Sequence, residues 1–483
     1  MAHSMKSNDY MVLAVLAFLT GCTVPPGRSE QTPVVAVTNP THALSTSVAE
    51  SRPGSSSLPT ALQVSYLAVP EPSVAAPQSG YRADDPTDPF GSPMELHVDQ
   101  LVAEVQARNP SLQAASAAWR AAAERYPQAV SLDDPMLTTM ITPSGVGTDN
   151  GGGWMVQASQ KVPWAGKRAL RGSVASFEAD VMQGDIGDTR LRLAEAARTT
   201  FYDYYLARRE MDVNASTCRL LTQFREIARN KYELGQATEQ DVLQADVELA
   251  SLESRRTELG RDEQVAIARI NTLLHRAPDY PLPPPPDKVP LPDSLPTAEA
   301  LQQAAVRCRP DLYALQARIS AEQANVALAC KEYYPDVNLV AKYDGFMPED
   351  MRPQVGMDIN VPIRFARRSA AVREASDRMA QRRAEYQDRL DQVRYEVQSG
   401  LARASQSQRV VHLFEEKILP AAQRSLDSAQ ANYTSGKLDF LRLLDAERQL
   451  NTQHEMYYQA MAEYHRRLAE LDRAVGAPVA TGP

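Results

Sequence analysis

Two periodicities alternate along this chain. At Val355, Met357, Ile359 and Val361 apolar side chains take every second position, with Gly356, Asp358 and Asn360 between them. That period predicts a strand with one apolar and one polar face. Trp154, Val156, Ala158 and Val162 alternate in the same way against Gln157, Ser159 and Lys161. Looser strand-like runs precede each, over 136–142 and 337–343, so two strand hairpins are expected. Elsewhere the period is helical. Leu191, Ala194, Ala197, Phe201 and Tyr205 form one apolar stripe, and Leu243, Val247, Leu249 and Leu252 another. A first helix is expected over 98–126, ended by Pro127, with a counterpart over 297–334 ended by Pro335. Very long helices follow over 164–232 and 365–433. Each breaks at a glycine, Gly235 or Gly436, and returns as another helix over 239–275 or 440–475. A helix of roughly 69 residues is on the order of 100 Å long, a length used by stalks, coiled coils and tunnels. Bends or breaks are expected at Gly184, Gly187, Gly400 and Pro420.

The two sets of elements are copies. Asn109-Pro110-x-Leu112 returns as Arg309-Pro310-x-Leu312, and Val162-Pro163 as Val361-Pro362. Tyr232-x-x-Gly235, followed by Asp241-Val242-Leu243-Gln244-Ala245-Asp246, returns as Tyr433-x-x-Gly436, followed by Arg442-Leu443-Leu444-Asp445-Ala446-Glu447. A period of about 200 residues far exceeds the roughly 20–50 of a solenoid unit, so a whole substructure is doubled. Residues 94–277 hold the first copy and 297–476 the second, with a tail over 477–483. The Pro-rich stretch 278–296 joins them as an extended linker. Residues 23–93, rich in Pro, Ser and Thr without sustained periodicity, read as a disordered tether.

Composition narrows the function. The 483 residues are 43% hydrophobic but 6% aromatic, and Ala, Gln, Glu, Arg and Leu crowd the region after residue 96, as in long helices. A net charge of −9 argues against a nucleic-acid partner, which selects a basic face. Lys6 precedes an apolar run from Met11 to Leu19 that is too short to span a bilayer and suits a secretory signal. It ends in Leu19-Thr20-Gly21-Cys22, which resembles a bacterial lipobox. Residues 1–22 are then a signal peptide, and Cys22 is the lipidated mature N-terminus. No stretch of about 18 apolar residues occurs, so no transmembrane helix is expected. Cys218, Cys308 and Cys330 lack paired spacing and no C-x-x-C occurs, which favours isolated thiols over a zinc site. The seven histidines form no ligand set, and His454 and His465 read as surface residues. Gly151-Gly152-Gly153 reads as a turn between strands; a phosphate cradle would open a helix. No nucleophile and base stand together, so neither an enzyme, a cofactor nor a resident metal is indicated.

An exported, anchored chain with such strands points to a membrane barrel, although alternation alone also suits a half-buried soluble sheet. The runs approach the roughly 9–11 residues of a spanning strand. Aromatics fall at strand ends, Trp164, Tyr333 and Tyr334 at one and Trp154, Tyr343 and Phe346 at the other, where interfacial girdles belong. Two hairpins supply about four strands, whereas single-chain outer-membrane barrels begin at about eight. Since an open edge in lipid is not tolerated, the chain must oligomerise through its strands. Two copies would give about eight strands filled by side chains, and three about twelve with room for a lumen.

From about residue 96 to 476 the doubled order of elements resembles the TolC-like outer-membrane efflux proteins. The two Tyr-x-x-Gly turns, followed by Asp241-Val242-Leu243 and by Leu443-Leu444-Asp445-Ala446, look like that family's helical-hairpin tips. The run Pro163-Trp164-Ala165-Gly166-Lys167-Arg168 is similar to sequences in members associated with metal efflux. The resemblance implies a mainly α fold with a small membrane β-barrel. Long helical hairpins would form an α-barrel in the periplasm, and the four strands of each chain would join in a trimeric 12-stranded barrel in the outer membrane of a Gram-negative-type bacterium. It implies a homotrimer working with a periplasmic adaptor and an inner-membrane pump of the resistance-nodulation-division type. Such a channel is a passive conduit for what the pump delivers, metal cations or drugs. The family closes its tunnel through polar contacts and an acidic constriction. Carried over by motif, Asp241 and Asp445 are gate candidates, with Glu447 beside them and Arg442 where many relatives are acidic. That departure removes a double aspartate ring but leaves one carboxylate per chain. Gly235 and Gly436 become candidate adaptor-docking tips, and Trp154, Trp164 and Tyr343 candidate barrel-interface aromatics. A type I protein secretion channel would use the same architecture. A lipidated periplasmic coiled-coil adaptor is a reading of another class, and strand hairpins in both halves count against it.

Overall fold

The computed structural model describes residues 95–142, 153–292 and 294–479. The signal sequence with Cys22, the tether, and Gly151 and Gly152 lie outside the described residues. The first copy runs α1 (Val98–Arg108), α2 (Pro110–Ala123), α3 (Arg125–Val130), β1 (Met136–Thr142), β2 (Gly153–Val162), α4 (Lys167–Glu233) and α5 (Glu239–Leu273). The second runs α6 (Ala298–Cys308), α7 (Pro310–Lys331), β3 (Val337–Asp344), β4 (Pro353–Ile359), α8 (Phe365–Leu413), α9 (Leu419–Thr434) and α10 (Phe440–Val475). The fold is mainly helical with one small sheet, as the periodicities imply.

The expected helix breaks need correction. Each copy's first helix is split, because Pro110 and Pro310 open new helices. Proline's fixed φ suits the first helical position, where its missing N–H is not needed. Asn109 caps α2 by accepting from the Ser111 N–H at 3.0 Å. Pro127 ends nothing; it lies in the first turn of α3. Gly184, Gly187 and Gly400 leave α4 and α8 unbroken. Gly184 instead permits close approach: a Cβ there would stand 2.8 Å from both the Ala314 Cβ and the Pro310 carbonyl oxygen of α7. The long second-copy helix is interrupted by a π turn, Phe414–Ile418, just ahead of Pro420. That turn takes up an added residue, so positions on either side keep phase with the first copy.

Buried positions follow the duplication. Leu101 and Leu301, Val105 and Ala305, Leu193 and Val393, and Ala197 and Val397 are all buried, in two related clusters. A third cluster holds Leu221, Phe224, Leu426, Phe440 and Leu444 near the helix turns. On α5 the buried side is Ala245, Leu252, Leu259 and Ala266, the heptad spacing of a left-handed coiled-coil seam. Leu243 and Val247, expected in that stripe, are exposed. His465 is also corrected. It is 5% exposed and stacks on Tyr202 at 4.3 Å, and burial pushes its imidazole down to about 4. Among the described residues, no disulfide joins Cys218, Cys308 or Cys330. Among the described residues, no helix is long and apolar enough to cross a membrane.

Candidate functional site

The strands form one antiparallel sheet in the order β1-β2-β3-β4, so the two expected hairpins are joined to each other through β2 and β3. Register then assigns every side chain to a face. Leu137, Ala158, Ala341 and Val355 stand abreast, followed by Thr139, Val156 and Tyr343. Further rows on that face hold Leu339 and Met357 beside Gln160, and Val162 with Val337 and Ile359. The reverse face carries Thr138, Gln157, Lys342 and Gln354 in one row, and Lys161, Asn338 and Asp358 in another, with Met136, Met140 and Met155 among them. One face is thus apolar across all four strands. It is also bare: Val355 is 91% exposed, and Leu137, Ile141, Met357 and Ile359 are exposed with it. A contiguous apolar face of this kind is unfavourable in water and suits hydrocarbon.

The predicted aromatics pair at the two ends of the strands. Trp154 and Tyr343 stack at 5.0 Å, and Trp164 and Tyr334 stack at 5.4 Å where the sheet meets the helices. At that junction lies a residue whose role sequence reasoning missed. Lys167 is 1% exposed and sits just after Gly166, whose φ of 88° turns the chain into α4. Its ammonium donates to Asp336 Oδ1 at 2.9 Å and to the Tyr334 carbonyl at 3.1 Å, with Glu332 at 3.4 Å. The same Asp336 oxygen accepts from the Trp164 N–H at 3.0 Å. The Trp164-to-Arg168 run is therefore a joint between the copies. Beside it, Asp133, Asp134, Lys161, Asn338 and Asp358 line an open cavity of about 450 Å³.

The helical tips are built alike. Gly235 has φ 69° and Gly436 φ 76°, and a Cβ at either would meet nothing within 4 Å. Glycine is required there by conformation, not by space. Gly235 N–H donates to the Tyr232 carbonyl at 2.9 Å and Gln236 N–H to Lys231 at 2.7 Å. Gly436 and Lys437 repeat the pattern on Tyr433 and Asn432 at 3.1 and 2.9 Å. Both are Schellman closures that satisfy the last helical carbonyls. The tips are tied to each other. Lys231 donates to the Tyr433 carbonyl, and its ammonium lies 4.2 Å from the centre of the Tyr433 ring. Arg448 of α10 pairs with Glu248 of α5. The signal for these ties was present only as unremarked cations beside each repeat motif.

The gate candidates fall into different settings. Arg442 and Asp445 are exposed on α10. Asp241 is partly exposed and accepts from Thr238 Oγ1 at 2.9 Å, inside the first turn of α5. It also lies close enough to Tyr433 to add to the effect of burial, which together push that phenol up to about 12. Glu447 is buried within the helix packing. Burial, then the Glu248 carboxylate, raise it to about 7 against the opposing pull of Arg448. The structure thus brings Glu447 and Arg448 to Glu248, and leaves Asp445 and Arg442 on an open helix face. Among the described residues, no group of His, Cys, Asp and Glu side chains is placed to hold a metal ion.

Known proteins share this construction. Residues 300–477 match the family model described as outer membrane efflux protein. The chain is 22% identical over 424 residues to the cobalt-zinc-cadmium resistance protein CzcC of Cupriavidus metallidurans, covering 87% of this chain and 99% of that protein. Its fold is that of the outer-membrane channel OprN, with TM-score 0.66 and 21% identity over 81% of this chain and 92% of the other. CusC, described as forming a transmembrane channel, superposes with TM-score 0.67 and 18% identity over 79% of this chain and 92% of its own. In its doubled helices, its two-faced sheet and these likenesses, the chain resembles the outer membrane efflux proteins, whose family model its second copy matches.

Proposed function

We propose that the protein is the outer-membrane channel of a tripartite efflux system. The observation that carries this reading is the four-stranded sheet with a bare apolar face and two free edges. Such a sheet needs lipid on one side and further strands at both ends. Three copies would give about twelve strands around a polar lumen. The long helices then continue the conduit into the periplasm, where the turns at Gly235 and Gly436 are the exposed points for an adaptor to dock. Energy and selection come from an inner-membrane pump of the resistance-nodulation-division type. The likeness to a cobalt-zinc-cadmium resistance protein supports divalent metal cations as the cargo. Lipidation at Cys22 would add an anchor, which two-signal attachment favours when a barrel is already present.

At the periplasmic mouth we assign the gate to Asp445, with Arg442 on the same exposed face. Three carboxylates converging at a narrow opening focus the field and favour cations. Single-channel recording of the purified protein in planar bilayers tests both levels. Asp445→Ala should change conductance or weaken block by multivalent cations, and an unchanged channel removes Asp445 from the constriction. Recovery of the protein as a water-soluble monomer, in place of a heat-resistant trimer in the outer-membrane fraction, overturns the conduit itself.

A further inference from the structure

The polar face of the sheet departs from its own pattern in one residue type. Its charged residues within the strands, Lys161, Lys342, Asp344 and Asp358, cancel. Large apolar side chains interrupt that face at Met136, Met140, Met155 and Val340, so methionine supplies all but one of them. The opposite face, built on residues such as Leu137, Ile141, Val156, Leu339 and Val355, uses methionine only at Met357. Met136 is 68% exposed and Met140 54%, so core packing accounts for neither.

Register brings two of these methionines abreast, Met140 of β1 opposite Met155 of β2. Directly opposed side chains start roughly 4.5–5.5 Å apart at Cβ, and two unbranched, polarizable thioethers can converge on one atom between them. Asp344 follows in the same row, but its carboxylate is taken up by Lys342 Nζ at 3.4 Å and by the Phe346 N–H at 3.2 Å. Asp358 accepts from Asn338 Nδ2 at 3.2 Å. With its oxygen donors engaged and its charges cancelled, this face offers little to a hard dication. The sulfurs are what remain. Met136 lies four residues along β1 from Met140, about 13 Å away at roughly 3.3 Å per residue. Past the other end of the strands, Met347 and Met351 stand exposed in the connection between β3 and β4. Thioethers thus recur from the helical end of the sheet to the opposite end.

We propose that Met140 and Met155 form a lumen contact for a soft monovalent cation, copper(I) or silver(I), with Met136 as a second station on the same face. This deepens the conduit reading and rests on it, because the polar face borders a lumen only if the barrel closes. It adds to the divalent cations proposed above a cargo class that the wall itself favours. Thioether sulfur is a soft ligand that prefers copper(I) to cations matched by oxygen. Two neutral donors hold an ion weakly, and a conduit needs a contact that an ion can leave as well as enter. Apolar surface for a hydrophobic cargo is the competing role, and leucine would serve it equally.

Silver titration of the full-length protein tests the site. The methionine ε-methyl carbons are labelled with carbon-13, and Cys218, Cys308 and Cys330 are replaced by Ala so that their thiols take no silver. The oligomer is titrated in detergent with silver nitrate in chloride-free buffer and followed by nuclear magnetic resonance. Met140→Leu and Met155→Leu assign the two signals and keep the apolar volume. Both signals should move with silver while that of Met357 on the other face stays, and zinc should move neither. In planar bilayers micromolar silver should block the current in brief events, and the double leucine variant should need about tenfold more silver for the same block. Unmoved Met140 and Met155 signals in a channel that conducts overturn the site and leave the conduit standing. Block of the double variant at the wild-type concentration assigns these residues to apolar surface and overturns it too. Silver binding at both methyls in a protein that forms no channel overturns the conduit reading, and with it a role in passage.

Discussion

Replacing Glu447 with glutamine should stabilise the helical tips above neutral pH and change them little in acid. Glu447 is 3% exposed on α10. Burial lifts its carboxyl from 4.5 to about 7, Glu248 adds to the rise and Arg448 opposes it. Glu248 faces it from α5, the Cys218 thiol from α4, and Arg448 from α10 itself. That arginine is held by Glu248, so Glu447 lacks a cation of its own. An acid with a raised folded-state pKa binds more protons folded than unfolded across the interval. Its contribution to stability is therefore fully present below the unfolded value of about 4.5 and is lost as pH climbs to about 7. At about 1.4 kcal/mol per unit, the whole span corresponds to about 3 kcal/mol. Glutamine fills the same volume and does not ionise. Thermal unfolding by far-ultraviolet circular dichroism, in detergent and at one fixed scan rate, is the assay. The variant should lie within about 1 kcal/mol of wild type at about pH 5 and exceed it by about 3 kcal/mol at about pH 8. An equal displacement at both values would refute the reasoning, because a packing change does not titrate.

Gln354 and Val355 are neighbours on β4 that point to opposite faces. Val355→Arg should cost about 2–4 kcal/mol in lipid and lower the heat resistance of the oligomer on gels, while Gln354→Arg should be close to neutral; equal effects would refute the face assignment. Gly184→Ala drives a methyl to 2.8 Å from α7 and should cost roughly 1–3 kcal/mol. Gly260→Ala, with open space around it inside α5, should add about 1 kcal/mol, and denaturant midpoints rank the two. Lys167→Met strands Asp336 without its cation and should cost roughly 3–5 kcal/mol. Adding Asp336→Leu should restore most of that loss in the same midpoint assay, and a double variant no better than the single would show that the pair is not what Lys167 supports.

Much of the fold was legible because the two periods mark a sequence differently. Alternation at Val355, Met357 and Ile359 located β4 and its apolar side. Proline was harder to read, since Pro110 opens a helix and Pro127 rides within a first turn, and the residue alone does not say which. The stripe on α5 was misplaced because Leu243 and Val247 are as apolar as Leu252, and only packing distinguishes a seam from a face left open. Within the site, tertiary ties were the least legible. Lys167, Lys231 and Arg448 look like ordinary helix cations until Asp336, Tyr433 and Glu248 arrive from distant segments. His465 read as a surface residue for the same reason: its burial is a property of the assembled helices.

The copies agree where they build core and differ where they meet. Leu101 and Leu301, or Ala197 and Val397, do the same task twice. The clamps of the in-chain seam have no such twins. Lys231 reaches Tyr433 in the other copy, whereas Asn432 in the equivalent place bonds to Ser428 of its own helix at 3.4 Å. Asp336 receives Lys167, and its equivalent is Met136, which carries no charge. Gly184 admits α7 closely where Ala384 would not. If every seam were alike, a chain would bind its own second repeat no better than that of a stranger, and pairing order would be degenerate. Concentrating ion pairs and close helix contacts in the covalent seam makes the four-stranded unit the defined building block. If such units close into the proposed ring, closure rests on what the block leaves unsatisfied, two strand edges and one apolar face, and burying those in a bilayer is favourable only when that ring is complete.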